Sequence, residues 1–161
     1  MKPRRPPARG FTFIELMLTL ALLAVMGSIA MPMVQLAQQR RQEQALAESL
    51  REIRGALDAY RRAVDQGRIT IRTGESGFPP NLQVLVEGVP DERSPTRQRL
   101  YFLRRLPRDP MAADLEQPPE DSWGLRSHDS PPDDPREGKD VFDIYSRAEG
   151  RGLNGVPYRQ W

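Results

Sequence analysis

The hydrophobic pattern of the chain changes twice along its length. From Leu16 to Val34, LMLTLALLAVMGSIAMPMV, nineteen residues pass without a charge. As a helix rising ~1.5 Å per residue this run covers ~28 Å, enough to cross a hydrocarbon core. Beyond it, Leu46, Leu50, Ile53, Leu57, Tyr60 and Val64 recur at alternating spacings of four and three, the period of one helix face. Glu43, Glu48, Arg51, Glu52, Arg54, Asp58, Arg61 and Arg62 fall between them. This predicts an amphipathic helix, its stripe under a globular domain and its charges in water or against other subunits. Asp58 is spaced to pair with Arg61 and Arg62, and Gly67 to stop the helix. A coiled-coil dimer is the alternative reading of the stripe, although the series is short for a sustained heptad array. From Phe11 to Val64 a continuous helix would measure roughly 80 Å.

After Gly67 the pattern breaks into short pieces. Residues 68–77 read as a loop. FPPNLQVLVEGVP predicts a short helix with Asn81 as N-cap, Leu82, Leu85 and Val86 facing inward, and Gly88 ending it. An apolar strand is expected at 100–103, running into a turn, and a second short strand in DSWGLRS. The clearest strand is DVFDIYSR at 140–147, with Phe142 and Ile144 on one face and Val141, Asp143 and Tyr145 on the other. Residues 107–121 and 127–139 are Pro- and acid-rich, with little means of building a core of their own. The expected fold class is α+β: a long N-terminal helix, half membrane and half amphipathic, packed on a small antiparallel sheet with Pro-rich loops.

Composition changes this picture in two places. The chain has no cysteine, so neither a disulfide framework nor a thiolate metal site is available. The formal net charge is +2, but Lys2, Arg4, Arg5 and Arg9 all lie in the first ten residues, which hold no acid. Without that decapeptide the balance is −2, and the basic stripe that nucleic-acid binding needs is missing. The basic excess belongs to targeting. By the positive-inside rule it keeps the N-terminus in the cytoplasm and places the chain beyond the apolar run outside.

Three readings of the N-terminal segment compete. A secretory signal peptide would use Ser28-Ile29-Ala30 as its cleavage site. A plain signal anchor leaves Glu15 unexplained. A lone carboxylate in a membrane helix costs about 2.5–3.5 kcal/mol on insertion scales, so such a group normally faces a partner. The rest of the span contains no Lys, Arg or His. Cleavage after Gly10 would create the missing cation, the α-amino group of Phe11, which could pair with Glu15 of a neighbouring helix offset along a stack. That third reading makes the chain a precursor of an assembly.

The segment RG-FTFIEL resembles the processing signal of type IV pilins and of type II secretion pseudopilins: a short basic leader ending in Gly, an aromatic, and Glu fifth in the mature chain. The resemblance implies that a prepilin peptidase cuts between Gly10 and Phe11 and methylates the Phe11 amine. It also implies that Glu15 and Phe11 set register in a filament and that Pro32 stands where the family commonly carries a helix-kinking proline. Further on, GFPPNLQVLVEG, YFLRRLPRDP, DSWG and VFDIYS occur in the order found in the G-type, or major, pseudopilin. The segment MAADLEQPPEDS, which separates Asp109-Pro110 from Trp123-Gly124, departs from that pattern as a loop insertion. The implied organisation is a leader at 1–10, a transmembrane and filament-core helix at 11–34, its amphipathic continuation at 35–66, and a periplasmic globular domain at 67–161.

The resemblance also implies calcium in the last loop, and here the residues disagree. After Asp143 the only acid is Glu149, with Asn154 beside it. Calcium takes six to eight oxygens, usually with several carboxylates, so no bound ion is expected. Gly150, Gly152 and Gly155 read instead as shaping a turn locked by Tyr158 and Trp161. Chemistry is equally thin elsewhere. His128, the one histidine, has no partner for a metal site or triad. GESG at 74–77 lacks the spacing of a nucleophile elbow, the acids of DSPPDD read as solvated, and no phosphate-binding glycine loop is present.

The chain is therefore expected to be no enzyme but a structural subunit. By the resemblance it forms a homo-oligomeric periplasmic filament with other pseudopilins, raised from an inner-membrane platform by a cytoplasmic ATPase to help export folded proteins. A minor pilin of a surface fibre and a monomeric membrane-anchored binding domain are the alternatives.

Overall fold

The structure, a computed structural model, describes residues 10–114 and 116–161, the side chains of 29–32 excepted. The first helix, α1, runs from Phe13 to Asp65, 53 residues. The chain forms two compact units, one ending at Arg40 and one running from Arg41 to Trp161. In the first, every described side chain from Gly10 to Gln38 is exposed.

The second unit is built on the apolar stripe of α1. Leu46, Leu50, Ile53, Leu57, Tyr60 and Val64 are all buried, joined by Ala56 and Ala63. Burying such side chains contributes about 1.5–3 kcal/mol each for the larger ones. The helix ends where the sequence predicts, at Gly67, and by a definite device. Gly67, at φ 67°, donates to the Val64 carbonyl (2.8 Å), and Arg68 reaches back to Ala63 (2.9 Å). This is a Schellman closure, which needs a left-handed residue that glycine supplies without penalty. The expected pairing of Asp58 with Arg61 and Arg62 does not form. Arg61 turns the other way along the helix, to Asp65 (3.2 Å), because its guanidinium also donates to the Ser76 carbonyl and lies over the Phe78 ring.

The short helix α2, Gln83–Glu87, starts one residue later than an Asn81 N-cap implies. Asn81 still supplies the capping acceptor, taking the Val84 N–H at 3.1 Å. Leu82 and Leu85 are buried and Val86 half-buried. Gly88 comes next, at φ 73°.

The sheet is two separate antiparallel ladders rather than one. The first pairs β1, Val89–Pro90, with β2, Arg99–Leu100. The expected strand at 100–103 therefore ends at its first residue. Pro90 has no N–H to extend the ladder, and the Phe102 and Leu103 amides both turn to the Leu85 carbonyl (3.0 and 2.9 Å). The second ladder pairs β3, Trp123–Arg126, with β4, Asp143–Ser146, in the register Trp123↔Ser146, Gly124↔Tyr145, Leu125↔Ile144 and Arg126↔Asp143. A side chain at Gly124 would collide with the Tyr145 ring lying across it. Val141, Ile144 and Ser146 are buried, while Phe142, Asp143 and Tyr145 are half-buried. Val141 precedes the strand and is held by its own bond to the Pro79 carbonyl (2.8 Å).

The insertion between Asp109-Pro110 and Trp123-Gly124 loops out and its ends meet again. A one-turn 3₁₀ helix, Pro119–Ser122, brings Ser122 Oγ to the Asp109 N–H (3.1 Å), and Trp123 Nε1 donates to the Pro107 carbonyl (2.9 Å). Asp109 is fully buried. Its carboxylate accepts Ser146 Oγ (2.5 Å) and the Met111 N–H (2.8 Å), as a buried carboxylate must to offset its lost hydration.

Candidate functional site

The site is the start of α1 and the surface behind it. Gly10, Phe11 and Thr12 precede the helix in an exposed stretch without regular secondary structure, and Phe11 is 85 % exposed. No other described part of the chain covers the Gly10–Phe11 peptide. Thr12 then starts the helix. Its Oγ1 accepts the Glu15 N–H at 3.3 Å, and its carbonyl accepts the Leu16 N–H at 3.2 Å. Sequence reasoning missed Thr12, yet the signal was present: Thr-x-x-Glu is the capping-box spacing.

Glu15 falls in the first helical turn, where the aligned peptide dipoles favour negative charge by roughly 0.3–1 kcal/mol. Among the described residues its carboxylate meets no cation and no hydrogen-bond donor. The helix end lowers the cost of the charge there without neutralising it.

Behind Glu15 the helix is long and apolar enough to cross a membrane, and no residue of that window is buried within the chain. Phe13, Ile14, Met17, Leu20, Leu23 and Met26 are all more than half exposed. The polar residues along it are self-satisfied: Thr19 Oγ1 donates to the Leu16 carbonyl and Ser28 Oγ to the Ala24 carbonyl, both at 2.9 Å. Hydroxyls bonded back onto the helix enter lipid without an unpaired donor. The side chains of Pro32 and of the alternative cleavage site at Ile29 and Ala30 lie outside the described residues, as do residues 1–9; the α1 backbone is helical through 29–32.

The other candidates scatter. Glu149 is exposed, and Asn154 Oδ1 is engaged by the Val156 N–H (3.0 Å). Among the described residues no group of three or more His, Cys, Asp or Glu side chains could hold a metal. His128 rests on Phe142 and Phe78, with ring centroids 5.5 and 6.1 Å away.

A capped apolar helix, its described side chains exposed as far as Gln38, leading into a small α+β unit defines the class: a pilin-like, membrane-anchored subunit. The prokaryotic N-terminal methylation motif matches residues 5–31, spanning Gly10, Phe11 and Glu15. Type II secretion system core protein G of Klebsiella pneumoniae is 32 % identical over 67 % of this chain and 72 % of its own length. That of Klebsiella michiganensis is 30 % identical over 70 % and 75 %, and that of Dickeya chrysanthemi 27 % identical over 67 % and 66 %. No solved structure gives a significant match. The chain belongs to the type II secretion system core protein G family, the major pseudopilins.

Proposed function

We propose that the chain is made as a single-pass inner-membrane precursor, N-terminus cytoplasmic and the 41–161 unit periplasmic, and is cut between Gly10 and Phe11 by a prepilin peptidase. The Phe11 amine so released is methylated and pairs with Glu15 of a neighbouring subunit. The subunits stack into a periplasmic filament with other pseudopilins. An inner-membrane platform with a cytoplasmic ATPase extends it, and the filament helps export folded proteins through the outer membrane. Its work is mechanical rather than catalytic. The observation that carries this reading is the juxtaposition of an exposed Gly10–Phe11 bond with an uncompensated carboxylate, Glu15, at the head of an uncovered apolar helix. Lipid covers that surface in the precursor, and neighbouring helices cover it in the filament.

Intact-mass analysis of the protein from membranes tests the first step. The expected mature chain begins at Phe11 and carries one methyl group; a start at Met31 would make the segment a secretory signal and overturn the reading. In the same cells Glu15→Ala should still be cut but lose its subunit crosslinks, and unchanged crosslinking would remove the ion pair from the scheme.

A further inference from the structure

Glu43 reads from its polarity as part of the charged face of α1, yet it is only 8 % exposed. It stands three residues before Leu46, in phase with the buried stripe. Its Oε1 accepts the Tyr158 hydroxyl at 3.0 Å and the Leu153 N–H at 2.9 Å, both from the final segment of the chain. Taking a carboxylate out of water is costly unless donors replace the water, and hydrogen bonds to charged groups are the stronger kind.

A second fastening lies eleven residues on, about three turns along the same face. Arg54 Nε donates to Asp143 Oδ1 (2.8 Å), and its Nη2 to the main-chain oxygens of Ile144 (3.0 Å) and Trp161 (2.6 Å). Between these two points the segment folds on itself. Arg151 and Pro157 form a bridge, Gly152 donates to the Val156 carbonyl (2.9 Å), and Trp161 Nε1 donates to that same oxygen (3.2 Å). The Trp161 ring lies against Gly152, where a side chain would collide with it.

The donor set does not fit calcium. It offers an exposed Glu149 and an Asn154 whose oxygen already takes an amide, against the several carboxylates the ion prefers. We infer that Glu43 does a cation's work in reverse: one buried carboxylate on α1 gathers the donors of the 150–158 loop, and the loop is fastened to the helix independently of calcium. The inference rests on these contacts and not on the filament reading. Its test reads loop order and melting, so its failure would leave processing at Gly10 untouched, and a failure of processing would leave it standing.

The experiment uses the full chain in detergent micelles, following amide exchange at 150–158 and the melting temperature with EGTA or with calcium chloride. The wild type should show the same protection and melting in both. Glu43→Ala should speed exchange of the Leu153 amide at least tenfold and lower the melting temperature by several degrees, with no rescue by calcium. Glu43→Gln, which keeps an acceptor, should lose less. If Glu43→Ala does not fold, Tyr158→Phe, which removes one hydroxyl, should still loosen the loop. Loss of wild-type protection on adding EGTA would overturn the inference, as would a Leu153 amide equally protected in all three variants.

Discussion

Single carboxylates do much of the structural work in the 41–161 unit, and each has its own set of donors. Asp91 is held below the ordinary carboxylate value chiefly by its hydrogen bonds from Arg68, at 3.0 and 2.6 Å, with the Arg93 N–H adding to them. For Asp140 burial is the largest influence and raises the value. The Ser127 and Ser76 hydroxyls and the His128 N–H together outweigh it, so this carboxyl too ends below the ordinary value. A lowered folded value means the unfolded chain binds the proton more tightly. The stabilisation is therefore full above the ordinary value of 3.8 and is lost as pH falls through the lowered ones. Urea unfolding at pH 6 and at steps below pH 4 should show stability falling, with a shallower fall in Asp91→Asn/Asp140→Asn; identical slopes would contradict these assignments. None of this was legible in the sequence. Asp91 lies in loop text and Asp140 at the head of the expected 140–147 strand, and their side-chain donors Arg68 and Ser127 come from 23 and 13 residues away. Glu43 was nearer to legible, since its spacing from Leu46 puts it on the buried face; polarity argued the other way, and its donors lie 110 and 115 residues distant.

At the scale of elements, what was readable was local. The 46–64 stripe, the Gly67 stop and the turn of helix after Asn81 are set by neighbours within four or five residues, which periodicity and capping rules address directly. The Gly67 closure can be measured. Gly67→Ala puts a Cβ into the left-handed region at φ 67° and should cost about 1 kcal/mol in equilibrium unfolding, although nothing lies within 4 Å of the new atom. No loss would mean the helix end relaxes to another closure. The strand expected at 100–103 failed for a non-local reason: whether an apolar run stays in a ladder depends on its partner, and β1 offers two residues, the second a proline. The same limit hid the division into two ladders. The 111–122 insertion was recognisable as a loop, but not how Ser122 and Trp123 close its base.

Taken as a whole, the molecule lives in two solvents. Both tryptophans and all four tyrosines lie at or beyond residue 60, in the unit whose core is buried from water. The described helical side chains up to Gln38 are all exposed within the chain and depend on whatever apolar medium surrounds them. Heat or urea attacks the first kind of structure by exposing its core to water. It has far less hold on a helix already sheathed in detergent or lipid, whose backbone bonds are satisfied within the segment. Unfolding in micelles should therefore split by probe. Tryptophan fluorescence should complete its transition while a substantial part of the far-ultraviolet helix signal remains, and superimposable curves would contradict this. Cooperativity stops at the boundary between media, so this chain has no single unfolding free energy. A stability measured by its aromatic residues belongs to the watery part alone.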